Sequence, residues 1–145
     1  MQQEDFIKKQ IDQLGRVLGD ILSDLLGRKT QGQISERIEI VNQKLKNSLD
    51  LDIEDLITIP TDKFIRTLKV KNNMTNDSFD ILGNIFFLLA EEIDYRDNEI
   101  EKRRYLYQHS LIIYEYLNNT SSTYSFDRHL KIEKIKKALT HSEFE

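Results

Sequence analysis

Apolar side chains recur at intervals of three and four residues along most of the chain, rather than at alternate positions. This spacing places them on one face of an α-helix, whereas alternation is typical of a half-buried strand. The sequence contains no strand-like alternation bounded by glycine or proline. We therefore predict an all-α protein of about five to seven helices, packed as antiparallel helical hairpins.

Polar breaks divide this pattern into separate helices. The predicted helices cover about residues 5–26, 33–49, 60–71, 77–94, 97–117 and 125–140, with a short capped turn at 50–56. Thr61 or Asp62 is expected to cap the helix that starts near Pro60, and Thr75 or Asn76 the following one. Gly27 should end the first helix, before a linker with Thr30 and Gly32. We expect one domain over 1–145, made of an N-terminal hairpin (1–49), short helices and a linker (50–76), and a hairpin with a C-terminal helix (77–145).

The first predicted helix carries two adjacent stripes suited to packing. A heptad-type seam runs at steps of 4, 3, 4, 3 and 4 through Ile7, Ile11, Leu14, Leu18, Ile21 and Leu25. Gly15 and Gly19 stand four residues apart beside it, with Leu22 and Leu26. Glycine inside a helix costs about 1 kcal/mol relative to alanine, so such a pair usually permits close approach of another backbone. Two hypotheses stay open: a partner-docking or homodimer helix, or a central helix packed tightly against its own chain.

The other helices are expected to play different roles. The helix at 77–94 is apolar on most sides and should lie in the middle of the fold. Phe126, Leu130 and Leu139 should dock the last helix. The acidic and basic residues at Asp12, Arg16, Asp20 and Asp24 are spaced for a ladder of ion pairs in solvent.

Four tyrosines lie on the predicted helix at 97–117. Tyr107 and Tyr114 are seven residues apart and share a face with Leu111, and Tyr105 and Tyr116 lie beside them. Aromatic side chains give large contact area at low entropic cost, so an exposed tyrosine face would suit a protein partner. Core packing is the alternative for at least half of them. The candidate partner-binding residues are Tyr105, Tyr107, Tyr114, Gly15 and Gly19.

Residues that carry catalytic or metal chemistry are sparse. The chain has 145 residues and no cysteine, which excludes disulfides and cysteine-based metal sites. His109, His129 and His141 do not have metal-ligand spacing, and Glu91, Glu92 and Asp94 are better interpreted as the solvated end of a helix. No glycine-rich phosphate loop is present. We predict a protein that is not an enzyme and needs no metal or cofactor.

Charge and hydropathy restrict the partners. The net charge is −4, with 21 Lys and Arg against 25 Asp and Glu. Residues 128–139 carry five basic residues against Glu133, and residues 50–55 carry four acidic ones. These two segments are expected to complement each other within or between chains, and nucleic-acid binding by the basic segment is a third hypothesis. The longest apolar run is six residues at 85–90, and the chain start lacks a basic leader, so we expect no membrane span and a cytoplasmic protein.

Two segments resemble known families. The residues Phe79-x-x-Leu82-Gly83-x-x-Phe86 resemble the opening helix of a tetratricopeptide repeat. The segment 5–15, followed by Leu25-Leu26-Gly27, resembles a bacterial family of unknown function. These resemblances imply a tetratricopeptide-like right-handed superhelix that binds a peptide, and they supply no catalytic residues. We expect a protein-interaction or scaffold module, with a self-assembling helical bundle as the alternative.

Overall fold

The computed structural model describes residues 2–27, 34–93, 99–121 and 124–142, and over these residues it confirms the all-α prediction. The described residues form α1 (Gln2–Gly27), α2 (Ile34–Leu49), α3 (Ile53–Thr58), α4 (Thr61–Asn72), α5 (Asn76–Glu92), α6 (Ile100–Thr120) and α7 (Phe126–Ser142). Helix ends lie within three residues of the predicted ones. The linker residues Thr30 and Gly32, and Asp94, lie outside the described residues.

Local side chains explain where the central helices begin. Thr75 caps α5, because its hydroxyl accepts a hydrogen bond from the Ser78 backbone N–H at 3.2 Å. The prediction that Thr61 or Asp62 caps α4 is wrong. The N-cap position is Pro60, whose extended backbone leads directly into the helix, and no side chain caps this end.

Helix α5 lies at the centre of the fold, as predicted. It packs against α1, α2 and α6, and Phe86 contacts Phe64 of α4 with ring centroids 6.4 Å apart. Buried side chains from all seven helices form one hydrophobic cluster with α5 at its middle. Helices α3, α4 and α7 pack mainly against α6, so the other helices are best placed relative to the α5–α6 pair.

The closest helix crossing joins α5 to α6 at Gly83. A Cβ atom at this glycine would lie 3.0 Å from Tyr114 Cε1 and 3.1 Å from Ile113 Cγ2, nearer than side chains normally approach. The Ser110 hydroxyl donates a 2.9 Å hydrogen bond to the Gly83 carbonyl, so the buried hydroxyl has a partner. Gly83 thus lets the two backbones come closer than any larger residue would.

A buried histidine joins α6 to the connection between α3 and α4. His109 is 2% exposed, and its Nδ1 and Nε2 atoms lie 2.8 Å from the carbonyl oxygens of Tyr105 and Ile59. A neutral imidazole has one N–H and can donate to only one of them. His109 is a structural residue in this fold, packed edge-on against Phe64 with ring centroids 4.8 Å apart.

The docking of α7 differs from the prediction. Ile132 and Ile135 are buried and face the core, whereas Phe126 and Leu130 are 65% and 46% exposed. Leu139 is half-buried against the core, as expected. Polar contacts fix the rotation of the helix: Arg128 reaches Asn118 of α6, and Lys131 Nζ lies 2.9 Å from Asn84 Oδ1 of α5. These contacts turn the face that carries Phe126 and Leu130 toward solvent.

Two predicted charge arrangements are not formed. Within the described residues, Asp12, Arg16 and Asp20 make no ion pair, and Asp24 instead binds Lys44 of α2. The acidic segment 50–55 does not meet the basic α7 within the chain. Its Asp52 and Glu54 bind Lys46 and Lys102, at 2.9 and 3.2 Å.

Alanine substitutions at two helical glycines should change stability in opposite directions. Gly83→Ala should lower the free energy of unfolding, because overpacking costs about 1–3 kcal/mol. The higher helix propensity of alanine offsets about 1 kcal/mol of this cost. Gly19→Ala should raise it by up to about 1 kcal/mol, because nothing lies within 4 Å of a Cβ atom there. Urea unfolding in dilute solution measures both. Equal destabilisation by the two changes would contradict this account of the α5–α6 crossing.

Candidate interaction surfaces

The structure buries two of the three candidate tyrosines. Tyr107 is 5% exposed and Tyr114 is fully buried. The Tyr114 hydroxyl donates to Asn84 Oδ1 at 2.5 Å, and the Tyr107 ring packs edge-on against Phe87 with centroids 6.2 Å apart. Burial raises the pKa of both phenols above the ordinary tyrosine range. Because this stripe of α6 lies against α5, Tyr107 and Tyr114 do not form an exposed face. The other expectation, core packing for at least half of the four tyrosines, is confirmed.

Tyr105 is the exposed member of the set, at 41%. It lines a surface cleft of about 300 Å³ between α3 and the start of α6, together with Glu54, Thr58 and Lys102. Lys102 Nζ lies 3.2 Å from Glu54 and 3.1 Å from Glu99. Burial alone would lower the pKa of the Lys102 ammonium, but the two carboxylates outweigh it and raise the pKa. The charges at the centre of the cleft are thus already matched within the chain.

The glycine stripe of α1 is open. A Cβ atom at Gly15 would be 3.9 Å from Ser78 Oγ, an ordinary contact, and at Gly19 it would meet nothing within 4 Å. Leu26, about two turns further on the same stripe, is 52% exposed. The hypothesis that the first helix packs against its own chain holds for the seam from Leu14 to Leu25, which is buried against α5 and α2. Gly19 takes no part in this packing.

Helix α7 presents an apolar surface that the sequence analysis assigned to the core. Phe126 and Leu130 are one turn apart on its outer face, and the neighbouring Tyr124 is 71% exposed. Lys134 and Lys137 continue the same face at helical spacing. The spacing of residues 126, 130, 134 and 137 is visible in the sequence, but α7 has a second apolar stripe through Ile132 and Ile135. Only the fold shows that the second stripe is the one covered by the core.

Helices α1 and α7 flank α5 and run parallel to it. Gly15 lies beside Ser78 near the start of α5, and Arg37 links the Leu25 carbonyl to Glu92 at its end. Helix α7 follows the same direction, since Arg128 faces Asp80 and Lys131 faces Asn84. The glycine stripe of α1 and the side of α7 that carries Arg128 and Lys131 therefore border the same helix.

The exposed apolar residues of α7 point away from α5. At about 100° per residue, Phe126 and Leu130 lie roughly 100–160° around the helix from Arg128 and Lys131, which face α5. They are thus on the side of α7 opposite its buried stripe. We define the α7 surface as the outer face of α7 formed by Phe126, Leu130, Lys134 and Lys137.

Comparisons with known proteins do not assign the chain to a group. No family model, curated protein or solved structure matches it. The described residues contain no group of three or more histidines and carboxylates placed to hold a metal ion. None of the described helices combines the length and the apolar character that crossing a bilayer requires. The tetratricopeptide and bacterial-family resemblances stay predictions.

The buried Tyr114 and the exposed Tyr105 should respond differently to loss of the hydroxyl. Tyr114→Phe removes the bond to Asn84 and should cost about 1 kcal/mol of stability at pH 7, whereas Tyr105→Phe should cost less than about 0.5 kcal/mol. Because burial raises the pKa of Tyr114, the unfolded chain ionises first, near pH 10, and wild-type stability should fall as the pH rises above that value. Thermal unfolding from pH 8 to 11 tests this.

The fall above pH 10 should be shallower in Tyr114→Phe than in the wild type. Identical slopes in the two proteins would show that the Tyr114 hydroxyl is not buried as described.

Proposed function

We propose that this chain is a non-catalytic protein-interaction module, and that its docking surface is the α7 surface. The observation that carries the proposal is the exposure of Phe126 at 65% and Leu130 at 46%, one turn apart on the outer face of the same helix. Burying one such side chain fully contributes roughly 1.5–3 kcal/mol. A partner that covers this face therefore gains free energy that the isolated chain leaves unused.

The spacing of the α7 surface suits a helix of the partner. Phe126 and Leu130 are four residues apart, and helices that pack against each other bind through anchors three to four residues apart. Aromatic side chains often dominate such interfaces, and Phe126 is the more exposed of the two.

The charge near the α7 surface favours a protein over a nucleic acid. Lys134, Lys136 and Lys137 of α7 are exposed, but so are Asp127 and Glu133 of the same helix. A surface that binds the phosphate backbone is normally basic throughout. We propose a cytoplasmic location for this module, in line with the sequence pattern.

Substitutions on the α7 surface should remove a bound partner. We expect the tagged chain to retain specific proteins from its native lysate, and Phe126→Ser/Leu130→Ser to lose them, because the variant removes the apolar anchors. The matched control is Ile40→Ser/Val70→Ser, which changes two residues of 46% and 73% exposure on α2 and α4.

Mass spectrometry identifies the proteins retained by each chain, and thermal unfolding confirms that both variants fold. Retention of the same proteins by all three chains, or loss only in the control, would contradict the proposed docking surface.

A further inference from the structure

We propose that the α7 surface binds an acidic amphipathic helix of a partner protein, which lies antiparallel to α7. This inference rests on the proposed function and states the chemistry of the partner. In this arrangement, Phe126 and Leu130 contact apolar side chains of the partner helix, and Lys134 and Lys137 contact its carboxylates.

The α7 surface changes from apolar to basic along the helix. Residues 126, 130, 134 and 137 fall within about 80° of one another on a helical wheel, so they form one stripe. Its first half is apolar, because Phe126 and Leu130 are largely exposed. Its second half carries the exposed Lys134 and Lys137. A partner that matches this surface therefore has apolar side chains at one end and charged ones at the other.

The charges in the first half of α7 are matched within the chain. Lys131 Nζ lies 3.0 Å from Asp127, and the Arg128 guanidinium lies 3.8 Å from Asp80 of α5. Each of these basic side chains thus has a carboxylate beside it. The apolar half of the α7 surface needs no charge from a partner.

The second half of α7 carries positive charge that the rest of the chain does not match. Within the described residues, Lys134, Lys136 and Lys137 take part in no ion pair. Glu133 is exposed among them, one turn before Lys137, and offsets one of the three positive charges. The charge that remains is positive, so acidic side chains of a partner complement it.

The helix dipole favours the antiparallel orientation. Carboxylates are stabilised near the N-terminus of a helix, where the dipole is positive. An acidic first turn of the partner meets Lys137 and Lys134 when the two helices are antiparallel, since the basic half of α7 follows its apolar half. The partner then has acidic residues at positions n and n+3 and apolar ones at n+7 and n+11, which mirrors the order 137, 134, 130 and 126.

Two observations favour a protein helix over a membrane surface. A helix that lies on a bilayer has an apolar face along its length, whereas the apolar stripe of α7 through Ile132 and Ile135 is buried in the core. In addition, the exposed Glu133 lies among the lysines and would face anionic headgroups. Both features are compatible with a partner helix.

The size of the α7 surface predicts a weak complex. From Phe126 to Lys137 the helix rises about 16 Å, so a partner helix of about three turns covers it. A contact of this size is smaller than a standard protein interface. We expect a dissociation constant on the order of 10–100 µM at low salt, and weaker binding as salt screens the exposed lysines.

Fluorescence anisotropy with a labelled peptide tests the inference. The probe is an acetylated helical peptide of alanine and glutamine, with glutamate at n and n+3 and leucine at n+7 and n+11. The full chain, titrated to 500 µM in 50 mM salt, should bind it in the expected range, and several-fold more weakly in 300 mM salt. A peptide with these four residues in reverse order should bind at least threefold more weakly, because its glutamates then lie at the C-terminus of the helix.

Charge exchange tests the role of the lysines. Lys134→Glu/Lys137→Glu should weaken binding at least tenfold, and a peptide with lysine in place of both glutamates should restore binding to this variant. The matched control is Lys8→Glu/Lys9→Glu, which makes the same change of charge at exposed residues of α1 and should bind the first peptide as the wild type does. Thermal unfolding confirms that each variant is folded.

Several outcomes would overturn the inference. A wild type that does not bind the peptide at 500 µM excludes the acidic helix. If that chain still retains a lysate protein that Phe126→Ser/Leu130→Ser loses, the proposed function stands with a partner of different chemistry. Peptide binding that tolerates Lys134→Glu/Lys137→Glu uses another surface. Vesicles of phosphatidylserine, or duplex DNA, that bind the wild type in place of the peptide and do not bind this variant assign the lysines to that ligand instead.

Discussion

The crossing of α5 and α6 at Gly83 is the constraint on which the rest of the fold depends. The missing Cβ atom lets the Tyr114 ring and Ile113 lie against the backbone of α5, and the buried Ser110 hydroxyl donates a hydrogen bond to the Gly83 carbonyl. Both helices bury apolar side chains along most of their length because the crossing is this close. Every other helix then packs on a side of this pair.

The same crossing sets the position of α7 through one polar atom. Asn84 Oδ1 accepts the Tyr114 hydroxyl from α6 and the Lys131 ammonium from α7. A half-buried acceptor with two donors fixes the rotation of α7, since turning the helix would leave polar groups without partners. Ile132 and Ile135 then face the core, and Phe126 and Leu130 face solvent. The exposed surface is thus a consequence of how the interior is hydrogen-bonded.

The sequence allowed the helices to be predicted, but not which of their faces meet. Helix position follows from local spacing and caps, as the Thr75 cap of α5 shows. The burial of Tyr107 and Tyr114, and the exposure of Phe126, depend on contacts between residues distant in sequence. Two glycines show why the sequence alone does not settle this. Gly19 and Gly83 both lie in the interior of a helix, yet only at Gly83 does a side chain of another helix approach closely. Of the candidate site, the structure leaves Tyr105 and the Gly15/Gly19 stripe at the surface.

The contrast between these two glycines bears on function. Each lowers helix stability by about 1 kcal/mol relative to alanine. At Gly83 the close packing with α6 offsets that cost within the chain, whereas at Gly19 nothing in the described structure does. On α7, Phe126 and Leu130 likewise leave apolar surface in water, because Ile132 and Ile135 occupy the core-facing side of that helix. The described structure thus carries two features that its own packing does not offset, and the covering of the α7 surface by a partner would relieve the second of them.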